Sequence, residues 1–148
     1  MDKKILVPTD NSKQAQKAGE YAISTTDLFG DTIILLYVID TGYLDELSQP
    51  DIKNRLHKKM VDEGKKAVET FTKELEDAKC AGKCKNVELI PMIKEGNPAD
   101  VILKTIEEEG IDQVIIGKSG KGGIEKFFIG STADRVIKKA KVPVNIIS

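Results

Sequence analysis

Between Ile111 and Thr132 the sequence IDQVIIGKSGKGGIEKFFIGST sets glycines, hydroxyls and a lysine in the order that an anion site needs. Val114 to Ile116 is a short β-branched run of the kind that a parallel strand buried on both faces carries. Gly117, Gly120, Gly122 and Gly123 follow it, and backbone without Cβ atoms turns tightly and approaches a ligand closely. Gly130 precedes Ser131, and S-x-x-D from Ser131 to Asp134 reads as a capped helix start with an apolar face of Ala133, Val136, Ile137 and Ala140. Free N–H groups at such a start, with the helix dipole behind them, attract phosphate.

Two nucleotide motifs are excluded by spacing. Gly117-Lys118-Ser119 resembles the end of a P-loop, but the position five before Gly117 is Asp112 instead of glycine. Eleven residues also separate Ser119 from the helix start at Ser131, where a P-loop helix begins at once. No G-x-G-x-x-G opens a helix after the first strand, so the dinucleotide fingerprint is missing as well.

The elements that must position this loop alternate. Lys4 to Val7 reads as a strand ended by Pro8, and Pro8-Thr9-Asp10-Asn11-Ser12 as a turn rich in helix caps. A helix is expected from Ser12 to Phe29, closed by Gly30. Thr32 to Ile39 is an uninterrupted apolar strand ended by Asp40, and Thr41 to Pro50 lacks a period and reads as a loop or lid. Asp51 to Lys79 reads as a long amphipathic helix with Gly64 as a point of interruption. Val87 to Ile93 is a third strand, and its Pro91 places it at a sheet edge. Asn97-Pro98-Ala99-Asp100 gives a cap, a first-position proline and an acid for a helix that runs to Gly110. Pro143 to Ile147 is the fifth strand.

This alternation specifies an α/β fold, a doubly wound five-stranded parallel sheet with helices on both faces. With strands one and four as neighbours, the order is 3-2-1-4-5, and ligands bind at the switch point beyond the carboxyl ends of those strands. The chain has 148 residues, the size of one domain, so 1–148 is read as a single unit. Its 23 basic and 24 acidic residues are interspersed, which argues against a nucleic-acid surface. No run approaches the roughly 20 apolar residues of a membrane span, and MDKKILVP lacks a signal-peptide core, so a cytoplasmic protein is expected.

Cys80 and Cys84 with the single His57 cannot supply the four ligands of a structural zinc site, and the reading is two reduced thiols near a helix end. His57 reads as a surface residue. Asp10 is read either as a ligand contact or as the cap of the first helix.

The spacing G-x2-G-x9-G-S at Gly117, Gly120, Gly130 and Ser131 resembles the ATP-binding branch of the universal stress protein family. The resemblance covers the whole chain: PTDNS after the first strand, YVID ending the second, GNPADVI before the third long helix, IGSTADRVI and a closing KVPVNII. It implies the same strand order, in a fold like that of adenine nucleotide alpha hydrolases. It implies that Pro8, Thr9, Asp10 and Val38 surround adenine and ribose, that Gly117, Lys118 and Gly120 line ribose and phosphates, and that Gly130, Ser131 and Thr132 hold the terminal phosphates. The implied cofactor is ATP with Mg or Mn held mainly by the phosphates, and no residue is assigned as catalytic or as a metal ligand. Where the family more often has a small hydroxyl residue after the first glycine, this chain has Lys118.

Adenine-nucleotide enzymes on similar sheets carry S-G-G-x-D-S after strand one, or H-x-G-H, and neither is present. The expected function is therefore a nucleotide-dependent regulatory or stress-response module, with a slow ATPase and a nucleotide-independent dimeric interaction protein as alternatives. Apolar Val144, Ile146 and Ile147 at the last edge strand point to a homodimer through that strand, its ladder shortened by the missing donor of Pro143.

Overall fold

The computed structural model describes residues 3–26, 30–118 and 130–148. In chain order the elements are β1 (Lys4–Thr9), α1 (Lys13–Thr25), β2 (Thr32–Asp40), α2 (Thr41–Asp45), α3 (Pro50–Cys80), β3 (Glu88–Gly96), α4 (Pro98–Glu109), β4 (Gln113–Gly117), α5 (Ser131–Lys139) and β5 (Val144–Ile147). All neighbouring strands pair in parallel, in the order β3-β2-β1-β4-β5.

Alternation along the central strands builds a core on each face of the sheet. Ile5, Val7, Ile33, Leu35 and Ile115 pack with Ala18 and Ala22 of α1 and Phe71 and Leu75 of α3. Leu6, Ile34, Leu36, Val114 and Ile116 pack on the opposite face with Ile102 and Ile106 of α4 and Val136 of α5. Each Val, Leu, Ile or Phe among them contributes about 1.5–3 kcal/mol by leaving water.

Several boundaries differ from the sequence expectation, each for a local reason. β1 runs through Pro8 to Thr9 because β1 pairs with β4 only at Ile5 and Leu6. Asp112 donates its N–H to the Lys4 carbonyl, so even-numbered residues of β1 face β4. The donor that Pro8 lacks thus points where the ladder has already ended. α1 stops at Thr25, whose follower Thr26 is the cap residue, so Gly30 does not close this helix. The expected continuation through Asp27 to Phe29 lies outside the described residues.

The expected loop after β2 begins with a short helix. Asp40 accepts from the N–H groups of Gly42 and Tyr43 at 3.1 and 3.4 Å, and Leu44 is buried beneath it. α3 passes through Gly64 without a break, because the missing Cβ lets the helix settle on the Tyr37 ring, 2.8 Å from where that atom would sit. Pro91 is exposed on the edge strand β3, and Asn97 and the left-handed Gly110 cap α4 as the sequence indicates. In α5 Gly130 is the N-cap and Ser131 the first helical residue, with no side-chain cap, and Ile137 is exposed. Ser131 is therefore not the capping hydroxyl that S-x-x-D suggested.

β5 begins at Val144. The Pro143 carbonyl accepts from Val114 at 2.9 Å and the Ile147 carbonyl from Lys118 at 2.8 Å, so odd-numbered residues here face β4. The donor that Pro143 lacks is on the inner side, and it does not shorten the outer edge as the sequence suggested.

A crevice at the switch point

The divergence of β1 from β4 beyond Leu6 opens the carboxyl edge of the sheet at its switch point. On one side stands the turn after β1. Thr9 Oγ1 accepts from the Asn11 N–H at 3.1 Å, and Asp10 Oδ1 accepts from Ser12 at 2.9 Å. Asn11 takes a left-handed φ of 66°, a region asparagine tolerates better than most residues. Ser12 is the cap of α1, its hydroxyl accepting from Ala15 at 3.1 Å. Asp10 therefore shapes the turn and leaves the helix cap to Ser12.

On the other side the end of β4 meets the start of α5. Gly130 donates its N–H to the Lys118 carbonyl at 2.7 Å, closing the neck of the glycine loop and placing α5 beside β4. As N-cap, Gly130 brings no side chain to the first-turn N–H groups of α5. Gly117 has a separate reason to be glycine. A Cβ there would lie 2.8 Å from the Gln14 backbone carbonyl carbon and oxygen, so β4 and the first turn of α1 touch only because that atom is missing.

The structure thus brings Pro8, Thr9, Asp10, Gly117, Lys118, Gly130, Ser131 and Thr132 to the carboxyl edge of the sheet, at the ends of β1 and β4 and the start of α5. Val38 lies near the carboxyl end of β2, half-buried against the α4 and α5 side, with Lys94 as its register partner. Gly120 lies outside the described residues, as do Gly122 and Gly123. Both backbone polar groups of Lys118 are engaged by Ile147 and Gly130, so a ligand would meet this residue through its side chain. Among the described residues no three His, Cys, Asp or Glu side chains are grouped to hold a metal ion.

Two features were not read from the sequence. The Tyr37 hydroxyl donates to Glu63 Oε2 at 3.3 Å, and burial, then the Glu63 carboxylate, then Asp10 push this phenol up to about 12. A second cleft of about 330 Å³ lies among α2, α3 and the end of β3. There His57 Nε2 meets Glu95 Oε1 at 3.1 Å and Lys53 meets Asp45 at 3.4 Å. Helical spacing placed His57 on α3, but a partner 38 residues away on another element leaves no local signal. Cys84 is buried and bonds the Ile23 carbonyl, whereas Cys80 is exposed, and both are free thiols.

The sheet order defines a doubly wound α/β protein whose switch point lies between its first and fourth strands. The sequence profile of the universal stress protein family matches residues 1–148, and the chain belongs to that family. Universal stress protein MJ0577 of Methanocaldococcus jannaschii is 32% identical over 161 aligned positions, spanning 99% of this chain and 95% of its own. The solved structure of MJ0577 superposes with a TM-score of 0.82 at 34% identity, over 98% of this chain and 94% of that one. A family member from Arabidopsis thaliana, solved with AMP bound, has a TM-score of 0.65 at 20% identity, over 98% and 90% of the two chains. A universal stress protein in complex with cAMP has a TM-score of 0.60 at 19% identity, over 98% and 95%. No helix among the described residues is long and apolar enough to cross a membrane.

Proposed function

We propose that this chain is an ATP-binding module of the universal stress protein family that acts as a nucleotide-dependent regulator in a cytoplasmic stress response. The observation that carries the reading is that the turn after β1 and the glycine-capped start of α5, tied to the end of β4 by the Gly130–Lys118 hydrogen bond, both stand at the carboxyl ends of the strands where β1 and β4 part. A polyphosphate satisfies the first-turn N–H groups of α5 and gains from the helix dipole. Adenine and ribose then lie toward Pro8, Thr9, Asp10 and the half-buried Val38, with Gly117 and Gly120 at the loop and Ser131 and Thr132 at the phosphates. Mg or Mn would be carried by the phosphate oxygens and water, which suits a site whose described residues hold no cluster of protein ligands. The AMP and cAMP complexes of two relatives with this fold support an adenine nucleotide as the ligand class.

With no paired nucleophile and base at the crevice among the described residues, we take binding as the function and hydrolysis as at most slow. A second copy at the outer edge of β5 belongs to the same reading, since Val144 and Ile146 turn their backbone groups outward there. The test is mass spectrometry of small molecules released from the purified protein. An adenine nucleotide at near-stoichiometric yield supports the proposal. A protein that carries none and binds none by calorimetry is the nucleotide-independent interaction module instead.

A further inference from the structure

In the proposed crevice the parts of a nucleotide follow the sheet order, with phosphates at the end of β4 and the start of α5, ribose at the β1 turn and the base at Val38 of β2. The next strand along is β3, about 4.8 Å further out. Lys94 is the register partner of Val38 there, and its side chain turns to the same face, where Nζ donates to Thr105 Oγ1 of α4 at 3.0 Å. Thr105 is wholly buried, and its own hydroxyl proton goes to the Val101 carbonyl at 2.7 Å.

An ammonium has three donors and no acceptor, and this half-buried one spends a single donor on Thr105 among the described residues. Nearby carboxylates are engaged elsewhere. Asp100 takes Arg135 at 2.7 Å, while Glu95, one position on, turns to the opposite face and meets His57. A charge drawn partly out of water calls for an acceptor, and the strand order places the outer edge of the base next to it. Purines differ at that edge. Guanine and hypoxanthine present O6 and N7 as two adjacent acceptors, the pair that lysine and arginine recognise, whereas the N6 amino group of adenine meets an ammonium donor to donor and is matched by Asn or Gln.

We propose that Lys94 reads the base: it donates to O6 and N7 of a 6-oxopurine, so the crevice takes guanosine triphosphate as a second ligand beside ATP. The inference rests on the nucleotide reading above and adds a ligand class to it. With ATP bound the amine keeps to Thr105; with GTP bound it gains a second acceptor.

Calorimetry with Mg-GTP, Mg-ATP and magnesium inosine triphosphate on the native chain, Lys94→Gln and Lys94→Met tests this. The native chain should bind Mg-GTP. A hydrogen bond to a charged group is worth about tenfold or more in affinity, so each substitution should move the ratio of GTP to ATP affinity toward ATP by at least about that factor. The ratio is read within one variant, so a general loss of affinity or stability does not imitate the effect. Inosine triphosphate keeps O6 and N7 without the 2-amino group and should follow GTP. A native chain that binds Mg-ATP and no Mg-GTP, an unchanged ratio in Lys94→Gln and Lys94→Met, or inosine triphosphate following ATP would overturn the role of Lys94 and leave the nucleotide reading intact. No binding of any of the three would overturn both.

Discussion

Gly117 at the end of β4 and Gln14 in the first turn of α1 touch backbone to backbone, with space for a Cβ lacking by a wide margin: that atom would lie 2.8 Å from the Gln14 carbonyl. Neither backbone has a rotamer with which to yield. Gly117→Ala should therefore destabilise the fold by about 1–3 kcal/mol, the usual cost of overpacking, without any ligand present. Urea unfolding of the nucleotide-free protein measures it, and an unchanged midpoint would mean that α1 can move off β4 freely.

The Tyr37 phenol, pushed up to about 12 from an ordinary 10 by burial first and Glu63 second, makes stability depend on pH in alkali. Below 10 both folded and unfolded chains keep the proton, and its contribution is fully present. Between about 10 and 12 the unfolded chain ionises first, so stability falls as pH rises through that window. Tyr37→Phe should remove this part of the decline. Parallel denaturation curves of the two proteins from pH 9 to 12 would show that the phenol plays no part.

Cys80 and Cys84 should differ in reactivity by orders of magnitude although four positions apart in sequence. Cys84 is 2% exposed and hydrogen-bonded to Ile23, while Cys80 is exposed at the end of α3. A thiol reagent should titrate one group rapidly in the native protein and two in denaturant. Two fast thiols in the native state would show that the α3–β3 connection opens readily.

These residues also mark what could be read before the fold was seen. Strand order followed from alternating elements, because buried parallel strands such as Thr32 to Ile39 are apolar throughout and helices such as α4 carry both caps in the sequence. The residues proposed for the crevice come from glycine spacing, from the family resemblance and from where a doubly wound sheet reverses. What escaped was set by contacts between distant segments. Gly117 reads as a loop glycine until α1 is seen against it, and Tyr37 reads as one more apolar position until Glu63 reaches it from α3. The inward turn of Pro143 depends on its pairing with Val114, which no local pattern encodes. Helix α2 was missed because a five-residue helix holds too few positions to show a period, although Asp40 was visible as its cap.

Catalysis should be weak. Among the described residues nothing at the crevice pairs a nucleophile with a base, and ATP turnover should fall far below the enzyme median of about 10 per second. A turnover near that value, lost in Asp10→Ala with folding intact, would make the protein an ATPase.

The central claim, that the crevice binds ATP, is tested most directly by calorimetric titration with Mg-ATP and the accompanying shift in melting temperature, on the native chain and on Gly130→Val. Gly130 has a φ of −58° and a ψ of 154°, a conformation open to valine, so the variant should fold while its side chain crowds the helix end where phosphate approaches. Ligand at 100 times its dissociation constant stabilises the native chain by about 2.7 kcal/mol, a rise of several degrees, and the variant should show neither heat nor shift. A native chain that gives no heat and no shift at millimolar Mg-ATP would contradict the account.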